Sequence, residues 1–164
     1  MEAMTAGGAH YQIVSDAVYR SERAWPAIAF STAVVWPSQG LAVVVPRGEI
    51  DAFTAPRFGD AVAGCLNDGA GAIVIDLSWV SFLDASGLAV AVHAARHLGA
   101  NRTAIVCRTA HIVRVFRICG LERVLTVCES REAALQSCRA GQVAELAARS
   151  RESAGPSPPE LTDS

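Results

Sequence analysis

The stretch from Ile73 to Leu88, IVIDLSWVSFLDASGL, constrains the fold more than any other part of the chain. Ile73–Leu77 is a nearly unbroken β-branched and apolar run, the pattern of a strand covered on both faces. A short loop follows, ends in Asp84-Ala85-Ser86-Gly87, and gives way at once to a helical pattern. A strand buried on both sides and followed by a helix needs layers above and below a sheet, so an α/β fold is expected. Ser86 is the expected N-cap, because its hydroxyl can accept from backbone N–H groups two or three residues on. A helix dipole and free amide donors at that point also favour an added phosphate. Ser86 therefore reads either as a plain cap or as a phosphoacceptor.

The flanking sequence repeats the alternation. Phe30–Trp36 and Leu41–Pro46 are β-type runs joined by Pro37-Ser38-Gln39-Gly40, which reads as a hairpin. A helix is expected over Ala55–Asn67, with Thr54 as N-cap and Pro56 in its first turn, where the missing N–H costs nothing. A strand over Ala72–Leu77 precedes a helix over Gly87–Leu98, and Gly99 marks that helix's stop. A strand at Thr103–Cys107, a helix at Ala110–Cys119 ended by Gly120, a strand at Val124–Val127 and a helix from Ser130 to Ala148 complete the pattern. The order is β-β-α-β-α-β-α-β-α. It predicts a small mixed sheet with helices mainly on one face. Residues 1–28 read as an N-terminal arm, residues 29–148 as the folded domain, and the Pro- and Ser-rich residues 149–164 as a disordered tail.

Composition narrows the function classes. The 164 residues carry a net charge of −2. No basic stripe stands out along them, so direct nucleic-acid binding has no electrostatic footprint. Neither a membrane-spanning run nor a signal peptide is visible, which points to a cytoplasmic protein without a membrane role. Of the five cysteines, Cys65, Cys107, Cys119, Cys128 and Cys138, none forms a CxxC pair. They read as small buried hydrophobes, with a redox-sensitive pair as the alternative. His93 and His97 are four apart but lack a third ligand and an HExxH context. Phosphate-binding and nucleophile-elbow motifs are absent, so no catalytic residue, cofactor or metal ligand is assigned. Asp51, Asp76 and Asp84 near strand ends keep a Mg²⁺ site and its hydrolytic chemistry open, against a structural carboxylate at Asp76.

The pattern carries Asp51, after the second strand, and the Asp84–Gly87 loop to one end of the sheet. Phe82 and Leu83 lie beside them, either as an exposed docking patch or as a plug tucked beneath the domain. Asp51, Phe82, Leu83, Asp84, Ala85, Ser86 and Gly87 are accordingly the candidate partner-binding residues.

Gly48-Glu49-Ile50-Asp51, then Ile73-Val74-Ile75-Asp76-Leu77, then Phe82-Leu83-Asp84-Ala85-Ser86-Gly87-Leu88 resemble the STAS domain of bacterial anti-sigma factor antagonists. The late Val113-Arg114-Arg117-Gly120-Leu121 segment is similar to that family's helix ending in Gly-Leu before the last strand. The resemblance spans roughly residues 30–140. It implies a sheet of four or five strands and a function in partner switching. An unphosphorylated antagonist binds an anti-sigma factor that is a serine kinase of histidine-kinase-like ATPase fold, and so frees a sigma factor. Phosphorylation of the antagonist breaks the complex and a phosphatase resets it. The family's acceptor is usually the first hydroxyl after Asp, and Ala85 stands there. The resemblance thus leaves Ser86 as the candidate acceptor in the motif, or implies an antagonist that does not switch. A STAS-fold subunit of a stress-sensing or lipid-transport assembly is the alternative.

Overall fold

The computed structural model describes the backbone of residues 5–6 and 9–15 and the full structure of residues 30–153. Residues 1–4, 7, 8 and 16–28 of the expected N-terminal arm, residue 29, and the end of the expected tail (154–164) lie outside the described residues. The strands are β1 (Thr5–Ala6), β2 (Ala9–Ser15), β3 (Ser31–Ser38), β4 (Leu41–Ile50), β5 (Ala72–Asp76), β6 (Trp79–Leu83), β7 (Thr103–Val106) and β8 (Thr126–Cys128). The helices are α1 (Ala55–Asn67), α2 (Ala85–Leu98), α3 (Ala110–Ile118) and α4 (Arg131–Ser153).

All eight strands join one mixed sheet in the order β1-β2-β3-β4-β5-β7-β8, with β6 paired to β4. The α/β class and the β3–β4 hairpin agree with the sequence, whereas the expected four or five strands become eight among the described residues. The first addition comes from the expected arm, where β2 pairs antiparallel with β3. The second is β6, expected as loop. β4 is twice the length of β5, which covers Leu41–Val44 only. The backbone groups of Arg47–Ile50 therefore need another partner, and Trp79–Leu83 supplies it as a second parallel strand in line with β5.

Alternation along the central strands builds two cores. Ala42, Val44, Ile73, Ile75 and Ile105 face α1, α2 and α3, whose Phe58, Leu88 and Phe116 share their cluster. Leu41, Val43, Val45, Val74 and Val106 face the opposite way, onto Ala134 and Cys138 of α4. Three helices on one face match the expectation, and α4 corrects it by covering the other. Double coverage is why β5 is buried at every position. Gly141 lets α4 lie against the backbone carbonyl of Asn101, and Gln142 Nε2 donates to the Gly40 carbonyl at 2.9 Å. α4 also runs past its expected end at Ala148 to Ser153. Ser130 caps it as expected, its hydroxyl accepting from Ala133 N–H at 3.1 Å. β8 begins two residues later than expected, because Leu121–Arg123 forms a short 3₁₀ turn first.

Candidate functional site

The ends of β4 and β6 bring two turns together. Ile50 accepts from the N–H of Asp84 at 3.1 Å, the last rung between these strands. From there the chain runs from Asp51 into α1 and from Asp84 into α2. Thr54 holds the N-cap position of α1 as expected, and Asp51 supplies the side-chain bonds of the turn ahead of it. Its carboxylate accepts from the N–H groups of Phe53 at 2.9 Å and Thr54 at 3.0 Å. Thr54 has helical backbone angles and makes no side-chain cap bond. Its hydroxyl instead accepts from Asp51 N–H and donates to the Glu49 carbonyl, each at 2.9 Å. Asx chemistry of this kind suits Asp because its short carboxylate reaches backbone donors two and three residues ahead.

At α2 the expected cap is corrected. Asp84, rather than Ser86, is the N-cap. Its carboxylate accepts from Ser86 N–H at 2.8 Å and Gly87 N–H at 3.3 Å, and it also takes the Ser86 hydroxyl proton in a short bond. Those bonds hold the Asp84 carboxyl below the ordinary carboxylate range, with the Ser86 hydroxyl contributing most and the N–H groups of Ser86, Gly87 and Ala52 adding to it. The Ala52 contact links this cap to the Asp51 turn. Asp84 is therefore a structural joint between two loops as well as a candidate docking residue.

The remaining motif residues separate by exposure. Ala85 is exposed on the first turn of α2, while Ser86 is half-buried and its hydroxyl proton is engaged. Phe82 is 48% exposed but Leu83 is only 8% exposed. Leu83 is thus tucked beneath the domain, whereas Phe82 is open to solvent. Gly87 is buried directly over Leu83 and Ile50, and a Cβ there would lie 2.6 Å from Ile50 Cγ2. It serves close packing of α2 on β4 and β6. Two exposed aromatic residues were not legible as site residues. Phe53, at the Asp51 turn, is 90% exposed, and Trp79 is 61% exposed with the Arg47 guanidinium 5.2 Å above its ring. The signal for Trp79 was present in the aromatic and β-branched run Trp79–Leu83, which marks a strand.

Asp76, the third carboxylate of the metal hypothesis, is nearly buried and fully engaged. Arg131 of α4 forks onto it at 2.6 and 2.9 Å, and Ser78 donates from its N–H at 3.0 Å and its hydroxyl at 2.5 Å. Among the described residues, no group of three or more His, Cys, Asp or Glu is placed to hold a metal ion. His93 and His97 are exposed on α2.

All five cysteines are free thiols. Burial pushes Cys65 and Cys138 up to about 11 and also raises Cys107 and Cys128, which lowers the thiolate fraction that oxidation requires. Cys119 alone is exposed. No helix among the described residues is long and apolar enough to cross a membrane.

Comparison with known proteins agrees with this architecture. Residues 35–134 match the family model for the STAS domain. The chain is 30% identical over 113 residues to the anti-sigma-F factor antagonist RsfB of Mycobacterium tuberculosis, a match covering 68% of this chain and 93% of that protein. An anti-sigma factor antagonist from Mycobacterium paratuberculosis superposes with a TM-score of 0.63 at 30% identity, over 71% of this chain and 99% of that one. Unphosphorylated SpoIIAA superposes with a TM-score of 0.57 at 23% identity, over 68% of this chain and 97% of that one, which supports the fold. Phosphorylated SpoIIAA, a Bacillus cell fate determinant, gives 0.51 at 22% identity, over 66% and 97%.

Proposed function

This chain belongs to the STAS-domain family, and from that premise we propose that it is an anti-sigma factor antagonist that frees a sigma factor by sequestering its anti-sigma factor. The observation that carries this reading is the 30% identity to an anti-sigma-F factor antagonist across 93% of that protein's length. The geometry supplies a surface to match. Phe53, Phe82 and Ala85 stand exposed around a rigid joint made by Asp51 and Asp84. Apolar groups held on capped turns lose little entropy on docking, which favours association.

The partner in this reading is a cytoplasmic serine kinase of histidine-kinase-like ATPase fold, with a phosphatase as the resetting enzyme where a phosphate is added. The α2 start of this chain suits constitutive binding better than switching. The exposed position carries Ala85, which has no hydroxyl. The hydroxyl that is present, on Ser86, already donates to Asp84. A phosphate on Ser86 would set a charge of about −1.5 to −2 against the Asp84 carboxylate and break the cap. The chain therefore acts as an antagonist that stays in its binding-competent form.

The test is capture from host cytoplasm with the tagged chain, followed by incubation of the captured anti-sigma factor with ATP and phosphosite mapping. The expected result is a kinase-fold anti-sigma factor that binds the wild-type chain without phosphorylating it and that phosphorylates Ala85→Ser. A bound kinase that modifies Ser86 would overturn the constitutive reading alone. Absence of any anti-sigma factor would overturn the antagonist reading.

A further inference from the structure

Between Asp84 and Glu122 the sequence contains no acidic residue, yet it holds Arg96, Arg102, Arg108, Arg114, Arg117, His93, His97 and His111, in a chain whose net charge is −2. The fold gathers most of this charge on one side. α2 and α3 pack against the same sheet face. On α3, Ile112 and Phe116 point inward while His111, Arg114, Arg117 and Ile118 are exposed. Arg114 falls opposite the buried pair at helical spacing. Ile118 is 72% exposed among these cations, and Val124 just beyond is 41% exposed.

These charges are poorly neutralised. Arg117 meets Glu122 at 3.5 Å and Arg102 meets Glu145 at 3.9 Å. Among the described residues, no carboxylate pairs with Arg96, Arg108 or Arg114. Arg108 also borders a cleft between α3 and β8 whose apolar walls include Ala110, Val113 and Val127. His111 Nε2 lies 3.3 Å from the Ser81 carbonyl, so the basic surface begins beside β6.

We propose that the outward face of α3, together with Arg108, docks an acidic, amphipathic segment of a partner protein. Unpaired like charges on one face repel one another in the isolated chain, and an acidic partner turns that repulsion into attraction. Every non-histidine cationic side chain of this protein is Arg, with no Lys anywhere. A guanidinium matches a carboxylate with two parallel hydrogen bonds. Exposed Ile118 and the cleft walls favour a polypeptide, which can offer apolar side chains between its carboxylates; a nucleic-acid backbone cannot. The inference does not depend on the antagonist reading.

The probe is a fluorescein-labelled helical peptide of Glu with Leu at i, i+3 and i+4 spacing, titrated with the full chain and followed by anisotropy. Saturable binding that weakens as salt rises is expected. Arg108→Glu with Arg114→Glu should weaken it by about tenfold or more. Arg139→Glu with Arg151→Glu, the same charge change at exposed positions on α4, should leave it within about twofold. Circular dichroism checks that both variants fold, and Arg114→Gln alone should show a smaller loss in the same direction. Absence of saturable binding, an equal loss in both double variants, or tighter binding of a short DNA duplex than of the peptide would each overturn the proposal.

Discussion

At the scale of single residues, two carboxylates do what hydroxyls were expected to do. Asp84 caps α2 in place of Ser86, and Asp51 closes the turn ahead of α1, where Thr54 keeps the N-cap position without a side-chain cap bond. The sequence held both candidates at each helix start, and spacing alone cannot choose between them. The choice depends on where the strand ends, because β6 delivers Asp84 in an extended conformation with its carboxylate already facing the free amides. The Asp84 carboxyl, lowered from 3.8 first by the Ser86 hydroxyl, is more acidic folded than unfolded. It therefore stabilises the fold fully above its unfolded value, and that stability is lost as pH falls through the lower folded value. Asp84→Ala should lower the thermal midpoint at neutral pH, and the gap from wild type should narrow below pH 3.8; circular dichroism melts across acid pH would show it. The cysteines separate by burial. With Cys65 and Cys138 pushed up to about 11, titration of the native chain with Ellman's reagent should show Cys119 reacting first. Cys65 and Cys138 should react only on unfolding.

At the scale of elements, two contacts decide how helices sit on the sheet. Gly87 rests on Leu83 and Ile50, so α2 approaches β4 and β6 more closely than any side chain would allow. Gly87→Ala should cost about 1–3 kcal/mol by overpacking, read from urea unfolding. On the other face, Arg131 anchors the first turn of α4 to Asp76 at the end of β5. Arg131→Ala would leave a nearly buried carboxylate without its cation. Because Arg131 is itself 43% exposed, water offsets part of the loss, and about 2–3 kcal/mol is expected in the same unfolding assay. Neither pairing was legible beforehand. Asp76 and Arg131 are 55 residues apart, and only the stacking of α4 beneath β5 joins them. α1 and α3 were legible because each carries an apolar stripe at 3.6-residue spacing. β6 was missed because its five residues follow β5 after a two-residue break, and no local pattern says that a long β4 leaves an edge to fill.

At the scale of the whole molecule, the sheet continues past the span of the matched family model, since β2 lies outside residues 35–134 and pairs along β3. Removing residues 1–29 would expose the β3 edge, and unpaired edges invite association. Such a truncation should remain folded by circular dichroism but show concentration-dependent self-association in size-exclusion chromatography with light scattering. Charge is likewise a property of the whole. A net of −2 hides how charge is distributed, because no carboxylate occurs between Asp84 and Glu122 while exposed Arg96 of α2 and exposed Arg114 and Arg117 of α3 fall within that stretch. These cations are spread over 22 residues from Arg96 to Arg117, and the fold packs both helices on the same sheet face. By itself, the sequence determined the α/β class, the helices, the hairpin and the loop at which a partner is proposed to dock, because periodicity and turn chemistry act within a few residues. Tertiary structure decided which side chains cap, which of Phe82 and Leu83 faces water, where α4 lies and how charge is distributed, because each depends on groups far apart in the chain meeting across the sheet.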